Sequence, residues 1–248
     1  MSTGVLIYSF DTATTSYSKL TERCVRHIRH HLDLPITVVS EQAEFQGVNN
    51  IHVTPSKNNR RLYNGKVTPW HNEERVKAYD HSPYDNTILM DCDYFVLSNH
   101  LLGLSQTVND LLLHTRLNDV TGRQNIFHTR ESLVPLVWAT VIIFKKNNFV
   151  GKIFQLAQHV QQHYQYYRNL YRISHIPYRN DYAFAIALHQ MYGQHSKDYG
   201  MPTSMNMIGK HGKVTDLTMD SMTFRWDDKW SSIQNQDIHV FDKEFFDV

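Results

Sequence analysis

The sequence predicts an α/β fold with a mixed, mainly parallel central sheet flanked by helices. A strand, a helix and another strand follow one another at the N-terminus, which is the order of a parallel βαβ unit. Two later apolar runs, residues 88–97 and 136–144, have the bulky composition of strands that are buried on both faces. No repeat or linker divides the 248 residues, so we expect one domain.

The first third of the chain shows the clearest alternation of strands and helices. The first apolar run ends at the polar pair Asp11-Thr12, and the next segment repeats apolar side chains at intervals of three and four, which is typical of a helix. Thr68-Pro69 resembles an N-cap followed by proline at the first helical position. The predicted elements are a strand over 5–10, a helix over 14–32, strands over 36–39 and 51–53, a loop over 55–68 and a helix over 70–80.

The remainder of the chain begins with the apolar run at 88–97 and becomes less regular toward its end. Residues 149–170 are rich in Gln and Tyr at helical spacing, and residues 180–192 form a more apolar helical pattern. The other predicted elements are a strand over 136–144 and short strands near 205–208, 214–217 and 238–241.

Composition and charge exclude several classes of protein. The net charge is +1, so no strong overall field draws the chain onto nucleic acid. Two cysteines imply no disulfide framework, and the start lacks a signal segment, so we expect a cytoplasmic protein without a membrane span. Local basic clusters occur at Arg23/Arg26/Arg29, Lys57/Arg60/Arg61, Arg168/Arg172/Arg179 and Lys210/Lys213.

Two carboxylates, Asp91 and Asp93, interrupt the apolar run at 88–97. Burying an unpaired carboxylate is costly, and two close together also repel each other. A divalent cation at the end of the strand would neutralise both, and Mg²⁺ and Mn²⁺ favour such oxygen ligands together with phosphate oxygens. The pattern therefore predicts a site for Mn²⁺ or Mg²⁺ and a diphosphate.

The order of these features resembles the GT-A glycosyltransferases, most closely the glycogenin/galactosyltransferase-like type, over roughly residues 4–243. The resemblance implies a single glycosyltransferase domain over 1–248, with a nucleotide-binding half (1–97) and an acceptor-side half (98–248). The Asp-x-Asp motif of that family matches Asp91 and Asp93, and the family's C-terminal metal-binding histidine matches His239. The implied metal ligands are therefore Asp91, Asp93 and His239.

The resemblance also assigns residues to a nucleotide-sugar donor and to catalysis. Ala139 and Thr140 lie where the family has Asn-Ala-Gly-Val, with Trp138 in place of its asparagine, and Arg179 replaces the first residue of an Asp-Gln-Asp motif. Lys243 follows His239 at a spacing two residues shorter than in the family. The implied donor-binding residues are Ser9, Asp11, Thr12, Arg75, Lys77, Asp91, Ala139, Thr140 and Lys243, and the implied catalytic residues are Arg75, Asn180 and Asp181.

The function implied is transfer of a sugar from a nucleotide diphosphate sugar, in the first instance a UDP-sugar, to a hydroxyl acceptor. The resemblance favours a retaining path; on an inverting path Asp181 would be the base. The chain is also similar to bacteriophage glycosyltransferases that modify hydroxymethylated pyrimidines in DNA, which would place it in the host cytoplasm. DNA and a glycan or lipid-linked sugar thus both remain open as acceptors.

Other classes fit parts of the pattern. A haloacid-dehalogenase-like phosphatase also has an apolar strand ending in Asp-x-Asp, and Asp227-Asp228 could serve as its later acidic pair, but Phe95 stands where it needs threonine or valine. A nucleotidyltransferase would need a glycine-rich N-terminal loop, and only Gly4 precedes the end of the first strand. A non-catalytic carbohydrate- or nucleic-acid-binding module would not need Asp91, Asp93 and His239 together.

Overall fold

The computed structural model describes residues 1–12, 15–55, 60–63, 66–69, 72–122, 132–174, 177–193, 198–209 and 212–241. For residues 60–63 and 66–69 it describes the backbone alone. The elements, in chain order, are β1 (Thr3–Ser9), α1 (Tyr17–His31), β2 (Ile36–Ser40), β3 (Asn49–His52), β4 (Arg60–Tyr63), β5 (Lys66–Pro69), a 3-10 helix (Asn72–Lys77), α2 (Ala78–His81), β6 (Asn86–Asp91), β7 (Tyr94–Phe95), α3 (His100–Ser105), β8 (Leu111–His114), β9 (Leu117–Asp119), β10 (Trp138–Lys145), α4 (Asn148–Gln162), α5 (Tyr164–Leu170), α6 (Asn180–Tyr192), β11 (Met205–Ile208), β12 (Gly212–Leu217), β13 (Ser221–Trp226), β14 (Lys229–Gln234) and β15 (Ile238–Val240).

The central sheet has six strands in the order β3-β2-β1-β6-β10-β8. Strands β3, β2, β1 and β6 run parallel, whereas β10 is antiparallel to both β6 and β8. The predicted mixed, mainly parallel sheet is therefore confirmed. Because β1 and β6 are parallel neighbours, their carboxyl ends meet at one edge, where Tyr8 is paired with Asp91.

Each apolar strand of the sheet supplies two cores. Along β1, Val5 and Ile7 pack on the side of α1, while Leu6 and Tyr8 pack on the side of α4 and α6. Side chains of a strand point alternately to opposite faces, and here helices cover both faces. This explains why β1, β6 and β10 are continuous apolar runs rather than alternating ones.

The helices follow the predicted patterns closely. Helix α1 buries the stripe that includes Leu20, Cys24 and Ile28 against the sheet. Helix α6 is buried on nearly every side, which suits its uniformly apolar composition. The predicted helix over 149–170 is present but divided at His163 into α4 and α5.

The segment before the Asp-containing strand differs from the prediction. The expected loop over 55–68 contains β4 and β5, which pair as an antiparallel hairpin, and Pro69 ends a strand instead of starting a helix. The expected helix over 70–80 is replaced by the 3-10 helix and one short turn, α2. Polar strands of a hairpin are held by backbone pairing, so they carry little of the apolar periodicity on which the prediction depended.

Two smaller sheets contain the strands of the C-terminal third, and one of them also includes β7 and β9 from the middle of the chain. One has the order β7-β15-β11-β9, and the other, β12-β13-β14, is an antiparallel meander. In the first of them β15 pairs with β7, so that His239 lies opposite Tyr94 and the amide of Val240 donates to the carbonyl of Asp93 at 2.9 Å. This pairing brings β15 to the turn that follows Asp91 and contains Asp93. Within the described residues, we find no helix with the length and apolar character needed to cross a bilayer.

Candidate active site

Asp91, Asp93 and His239, hereafter the Asp91 cluster, meet at the carboxyl edge of β1 and β6. Asp91 is the last residue of β6, Asp93 lies in the turn that follows, and His239 comes from β15. Each offers one potential ligand atom, and these three atoms lie within 4.8 Å of one another. The Nε2 atom of His239 is 3.3 Å from Oδ1 of Asp93, and both side chains are about nine-tenths buried. The structure thus brings together the three residues that the sequence analysis assigned to metal.

Arg75, on the 3-10 helix, compensates the negative charge of Asp91. Its side chain is only 2% exposed, and its guanidinium forms an ion pair with Oδ1 of Asp91. The same guanidinium donates to the carbonyl of Thr140 at 3.3 Å. Arg75 therefore links the end of β6 to the start of β10, its neighbour in the sheet.

Burial favours the neutral form of the His239 imidazole. Burial lowers the pKa of His239 to about 4; Asp91 and Asp181 act in the opposite direction, and Arg179 and Arg75 lower the pKa further. A neutral imidazole has a nitrogen lone pair, which is the form that binds a metal ion.

The start of α6 lies against the start of β10, next to the Asp91 cluster. The carboxylate of Asp181 accepts from the amide of Ala139 at 2.8 Å and from Nε and an NH₂ group of Arg179 at 2.9 and 2.7 Å. Both oxygens of Asp181 are therefore engaged. Arg179, the residue before α6, thus forms an ion pair with Asp181 beside the cluster.

Asn72 is a site residue that the sequence analysis missed. Its amide nitrogen donates to Oδ1 of Asp91 at 2.9 Å, and its carbonyl accepts from the side chain of Asn180 at 2.9 Å. The hydroxyl of Tyr178 in turn donates to Oδ1 of Asn180. Asn72 and Asn180 are 108 positions apart, so no local sequence signal could have linked them.

The predicted residues at the end of β1 lie at the same edge but have structural partners. The hydroxyl of Ser9 is buried and accepts from Thr21 at 2.8 Å. Asp11 accepts from the amide and hydroxyl of Ser18 at 2.8 and 2.9 Å, at the first turn of α1. Thr12 accepts from the amide of Thr15 at 3.1 Å. Ser9, Asp11 and Thr12 therefore have partners within the protein whether or not a nucleotide binds beside them.

Lys77 and Lys243 differ from the other predicted residues. Lys77 is about half exposed and pairs with Glu74 at 2.7 Å, one turn away on its own 3-10 helix. Lys243 lies outside the described residues, as do Lys210 and the side chains of Lys57, Arg60 and Arg61. Asp227 and Asp228, the acidic pair considered for a phosphatase, lie in the exposed turn between β13 and β14 and do not belong to the Asp91 cluster.

Comparison with known proteins identifies the fold. No protein-family model and no curated protein matches the chain. An active-site mutant of LgtC matches with a TM-score of 0.50 and 12% identity, over 75% of this chain and 69% of that one. A structure of galactosyltransferase LgtC in complex with donor and acceptor sugar analogs matches at 0.48 and 12%, over 75% and 70%. The glycosyltransferase GlyE of Streptococcus pneumoniae TIGR4 matches at 0.47 and 11%, over 81% of this chain but 45% of its own.

The similarity to LgtC at this level of identity shows the fold, which is GT-A. The mixed sheet, with helices on both faces and a carboxylate-bearing strand end at the parallel edge, is consistent with that assignment.

Proposed function

We propose that this protein is a metal-dependent glycosyltransferase that moves a sugar from a nucleotide diphosphate sugar to a hydroxyl acceptor. The observation that carries the proposal is the Asp91 cluster: two carboxylates and a neutral imidazole converge at the carboxyl edge of the parallel strands. In open α/β sheets this edge is where ligands bind. The GT-A fold gives the same expectation by analogy.

The donor set suits Mn²⁺ or Mg²⁺, which would be held by Asp91, Asp93 and His239. Carboxylate oxygens are the preferred ligands of both ions, and an imidazole nitrogen is better tolerated by Mn²⁺. Among the described residues, Nε of Arg75 and Oδ1 of Asn72 are buried without a hydrogen-bond partner, although both side chains contact Asp91. Such atoms are costly to leave unpaired, which favours a polar ligand beside them. When bound, the ion would neutralise the diphosphate of the leaving group as a Lewis acid.

The catalytic residues we propose are Arg75, Asn180 and Asp181. Arg75 places a permanent positive charge where the leaving diphosphate develops negative charge. Asp181 already accepts from Arg179 and from the amide of Ala139, which supports a role in positioning these groups. Asn180 holds Asn72 against Asp91.

We propose a donor site that runs along the same edge. Ser9, Asp11 and Thr12 would contact the nucleoside beyond β1, and Asp91 would be shared between the ion and the ribose. Ala139 and Thr140, at the start of β10 beside Asp91, would face the donor sugar. Lys77 and Lys243 are proposed as charges for the diphosphate. We propose residues 1–97 as the nucleotide-binding half and 98–248 as the acceptor-side half, which also contributes Ala139, Thr140 and Lys243 to the donor site.

The proposal has two forms, which differ in the acceptor. In one the acceptor is a hydroxymethylated pyrimidine in DNA, and in the other it is a glycan or lipid-linked sugar. Reaction of a base in duplex DNA requires an accessible groove or a flipped nucleotide. The two forms are separated by assaying the same donor with an oligonucleotide that contains a hydroxymethylated pyrimidine and with a set of oligosaccharides. Release of the nucleotide diphosphate measures transfer in both assays.

The primary test is the thermal stability of the protein with nucleotide diphosphates and their sugars, with and without Mn²⁺. A ligand at about 100 times its Kd adds roughly 2.7 kcal/mol to the free energy of unfolding, which raises the Tm of a chain of this size by about 5–10 °C. We expect this rise with one nucleotide, dependent on Mn²⁺, and its loss in Asp93→Asn.

The matched control is Asp216→Asn, which neutralises an exposed carboxylate on β12 and should keep the full rise. An equal rise in Tm in Asp93→Asn would mean that Asp93 does not hold the ion. If no nucleotide raises the Tm, the proposal of a donor site is wrong. A rise without donor hydrolysis or transfer would favour the non-catalytic binding module instead.

A further inference from the structure

A second group of metal-type side chains lies far from the Asp91 cluster. It consists of His30 and His31 in the last turn of α1 and Asp220 in the turn between β12 and β13, hereafter the His31 cluster. Helix α1 begins near the carboxyl edge of β1 and runs back along the sheet for 15 residues, a length of about 22 Å. The His31 cluster is therefore at the opposite edge of the sheet, and the proposed reaction does not use it.

The geometry of the His31 cluster is that of a partly assembled ligand set. Oδ1 of Asp220 is 3.7 Å from Nε2 of His30 and 3.7 Å from Nε2 of His31, and the three atoms lie within 4.8 Å of one another. The two imidazole rings are nearly perpendicular, with centroids 4.7 Å apart. Ligand atoms around a tetrahedral Zn²⁺ are separated by about 3.4 Å, so the distances to Asp220 exceed a bound geometry by only a few tenths of an ångström.

The turn that carries Asp220 is held by its own hydrogen bonds. The amide of Thr218 donates to the carbonyl of Ser221 at 2.9 Å, and the amide of Ser221 donates to the hydroxyl of Thr218 at 3.1 Å. The carbonyl of Asp220 accepts from the amide of Asn235 at 2.8 Å. The backbone of the turn is thus fixed while the carboxylate of Asp220 remains about half exposed. A ligand side chain on a fixed backbone loses little further freedom when an ion binds.

The surroundings also favour a cation. The carbonyl groups in the last turn of a helix carry partial negative charge, and here they belong to α1, at the residues that bear the two imidazoles. The carbonyl oxygen of Met219 lies 2.8 Å from Nε2 of His31, so a bound ion would replace the proton that this nitrogen shares with the carbonyl. The side chain of His30 is 52% exposed, so an ion can reach the group from solvent.

We propose that the His31 cluster binds a borderline divalent transition-metal ion of the Zn²⁺ class, which joins the end of α1 to the turn between β12 and β13. Two imidazoles and one carboxylate favour Zn²⁺, Ni²⁺ or Cu²⁺ over Mg²⁺, whereas the carboxylate-rich Asp91 cluster suits Mn²⁺ or Mg²⁺ bound together with a diphosphate. Water would complete the shell at this exposed position. The competing explanation is a metal-free clip, in which His31 donates a hydrogen bond to the carbonyl of Met219.

The test is to add Zn²⁺ to the metal-stripped protein. Titration calorimetry measures the Kd, and thermal unfolding measures the change in Tm. We expect a Kd in the micromolar range and a rise in Tm. Single variants His30→Gln and Asp220→Asn should each weaken this binding at least tenfold. Both side chains are about half exposed, so the variants should fold like the wild type.

Two control variants remove a histidine elsewhere. His52→Gln breaks a pair in which one imidazole meets the carboxylate of Glu44 at 2.8 Å, and His163→Gln breaks a contact between His159 and His163, whose rings are 4.5 Å apart. Both should keep the Zn²⁺ affinity of the wild type. Asp93→Asn should keep it as well, which makes the result independent of the proposed glycosyltransferase site.

A second measurement uses Co²⁺ as a spectroscopic probe. Binding at the His31 cluster should produce a visible absorption band that Asp220→Asn removes and His163→Gln retains. Zn²⁺ affinity unchanged in both His30→Gln and Asp220→Asn would overturn the proposal. Absence of Zn²⁺ binding up to millimolar concentration would also overturn it and leave the hydrogen-bonded clip.

Discussion

The Asp91 cluster and the His31 cluster each hold three potential ligand atoms within 4.8 Å of one another, but the negative charge is compensated differently in the two clusters. Asp93 and His239 are about nine-tenths buried, and the buried guanidinium of Arg75 compensates Asp91. Asp220 is about half exposed, so water can stabilise its charge. Burial therefore makes the first cluster dependent on its neighbours, while exposure leaves the second loosely coupled to the fold until an ion binds.

The largest effect is expected from removing the charge that compensates the Asp91 cluster. Arg75→Met should lower the free energy of unfolding by about 3–5 kcal/mol, because it leaves the carboxylate of Asp91 without its ion pair in a mostly buried position. Urea denaturation measures this change. Lys77→Met is the matched control on the same 3-10 helix: Lys77 is about half exposed, and its loss should cost less than about 1 kcal/mol.

A double-mutant cycle identifies the cause of that loss. Once Asp91→Asn has removed the carboxylate charge, Arg75→Met should cost at least about 1 kcal/mol less than in the wild type, because the two charges interact directly. Equal costs in both backgrounds would contradict charge compensation and would attribute the loss to packing alone.

The second effect concerns the hydrogen bonds that hold the start of α6 against β10. Asp181→Ala should lower the free energy of unfolding by about 2–3 kcal/mol, because it leaves the amide of Ala139 and the guanidinium of Arg179 without this acceptor. Asp216→Ala, at an exposed carboxylate, should change it by less than about 0.5 kcal/mol. Equal effects in the two variants would mean that water replaces the acceptor readily at α6.

Much of the central fold follows from the sequence because burial leaves a pattern. The strands at β1, β6 and β10 are buried on both faces and have continuous apolar runs, and α1 carries a single apolar stripe. The hairpin of β4 and β5, the helix α3 and the strands β8, β9, β13 and β14 were not predicted. In β13 and β14 one face is solvated, and these strands are identified mainly by their cross-strand pairing.

The candidate site shows the same division. The cost of burying two carboxylates pointed to Asp91 and Asp93 from the sequence alone, and resemblance added His239. Asn72 could not be found because its role depends on contacts with Asp91 and Asn180, which only the folded chain brings together. The sequence also could not show that Arg179 would pair with Asp181.

A third prediction concerns how burial changes the pKa of a histidine that belongs to neither cluster. His114, at the end of β8, is 1% exposed, and burial lowers its pKa to about 4; a hydrogen bond with the carbonyl of Thr203 opposes this change, and nearby His100 adds to it. The folded pKa lies below the unfolded value of about 6.5, so the unfolded chain binds the proton first as the pH falls. The contribution of His114 to stability is therefore complete above pH 6.5 and is lost as the pH falls toward 4.

The measurement is the free energy of unfolding of the wild type and of His114→Gln at several pH values. Between pH 7 and pH 5 the wild type should lose about 1–2 kcal/mol more than the variant, since each pKa unit corresponds to about 1.4 kcal/mol. Parallel curves for the two proteins would mean that His114 takes up its proton in the folded state as easily as in the unfolded one.

The smallest effect is expected at the His31 cluster in the absence of metal. With a chelator present, Asp220→Asn should change the free energy of unfolding by no more than about 0.5 kcal/mol, because Asp220 is about half exposed and its two pairs with histidine at 3.7 Å contribute little. With Zn²⁺ at about ten times the wild-type Kd, the wild type should gain about 1.4 kcal/mol and Asp220→Asn no more than about 0.4 kcal/mol, so the difference between the two proteins should increase. A loss above about 1 kcal/mol in chelator would show that Asp220 already stabilises the turn without an ion. The contrast between a compensated buried cluster and an open exposed one would then have to be abandoned.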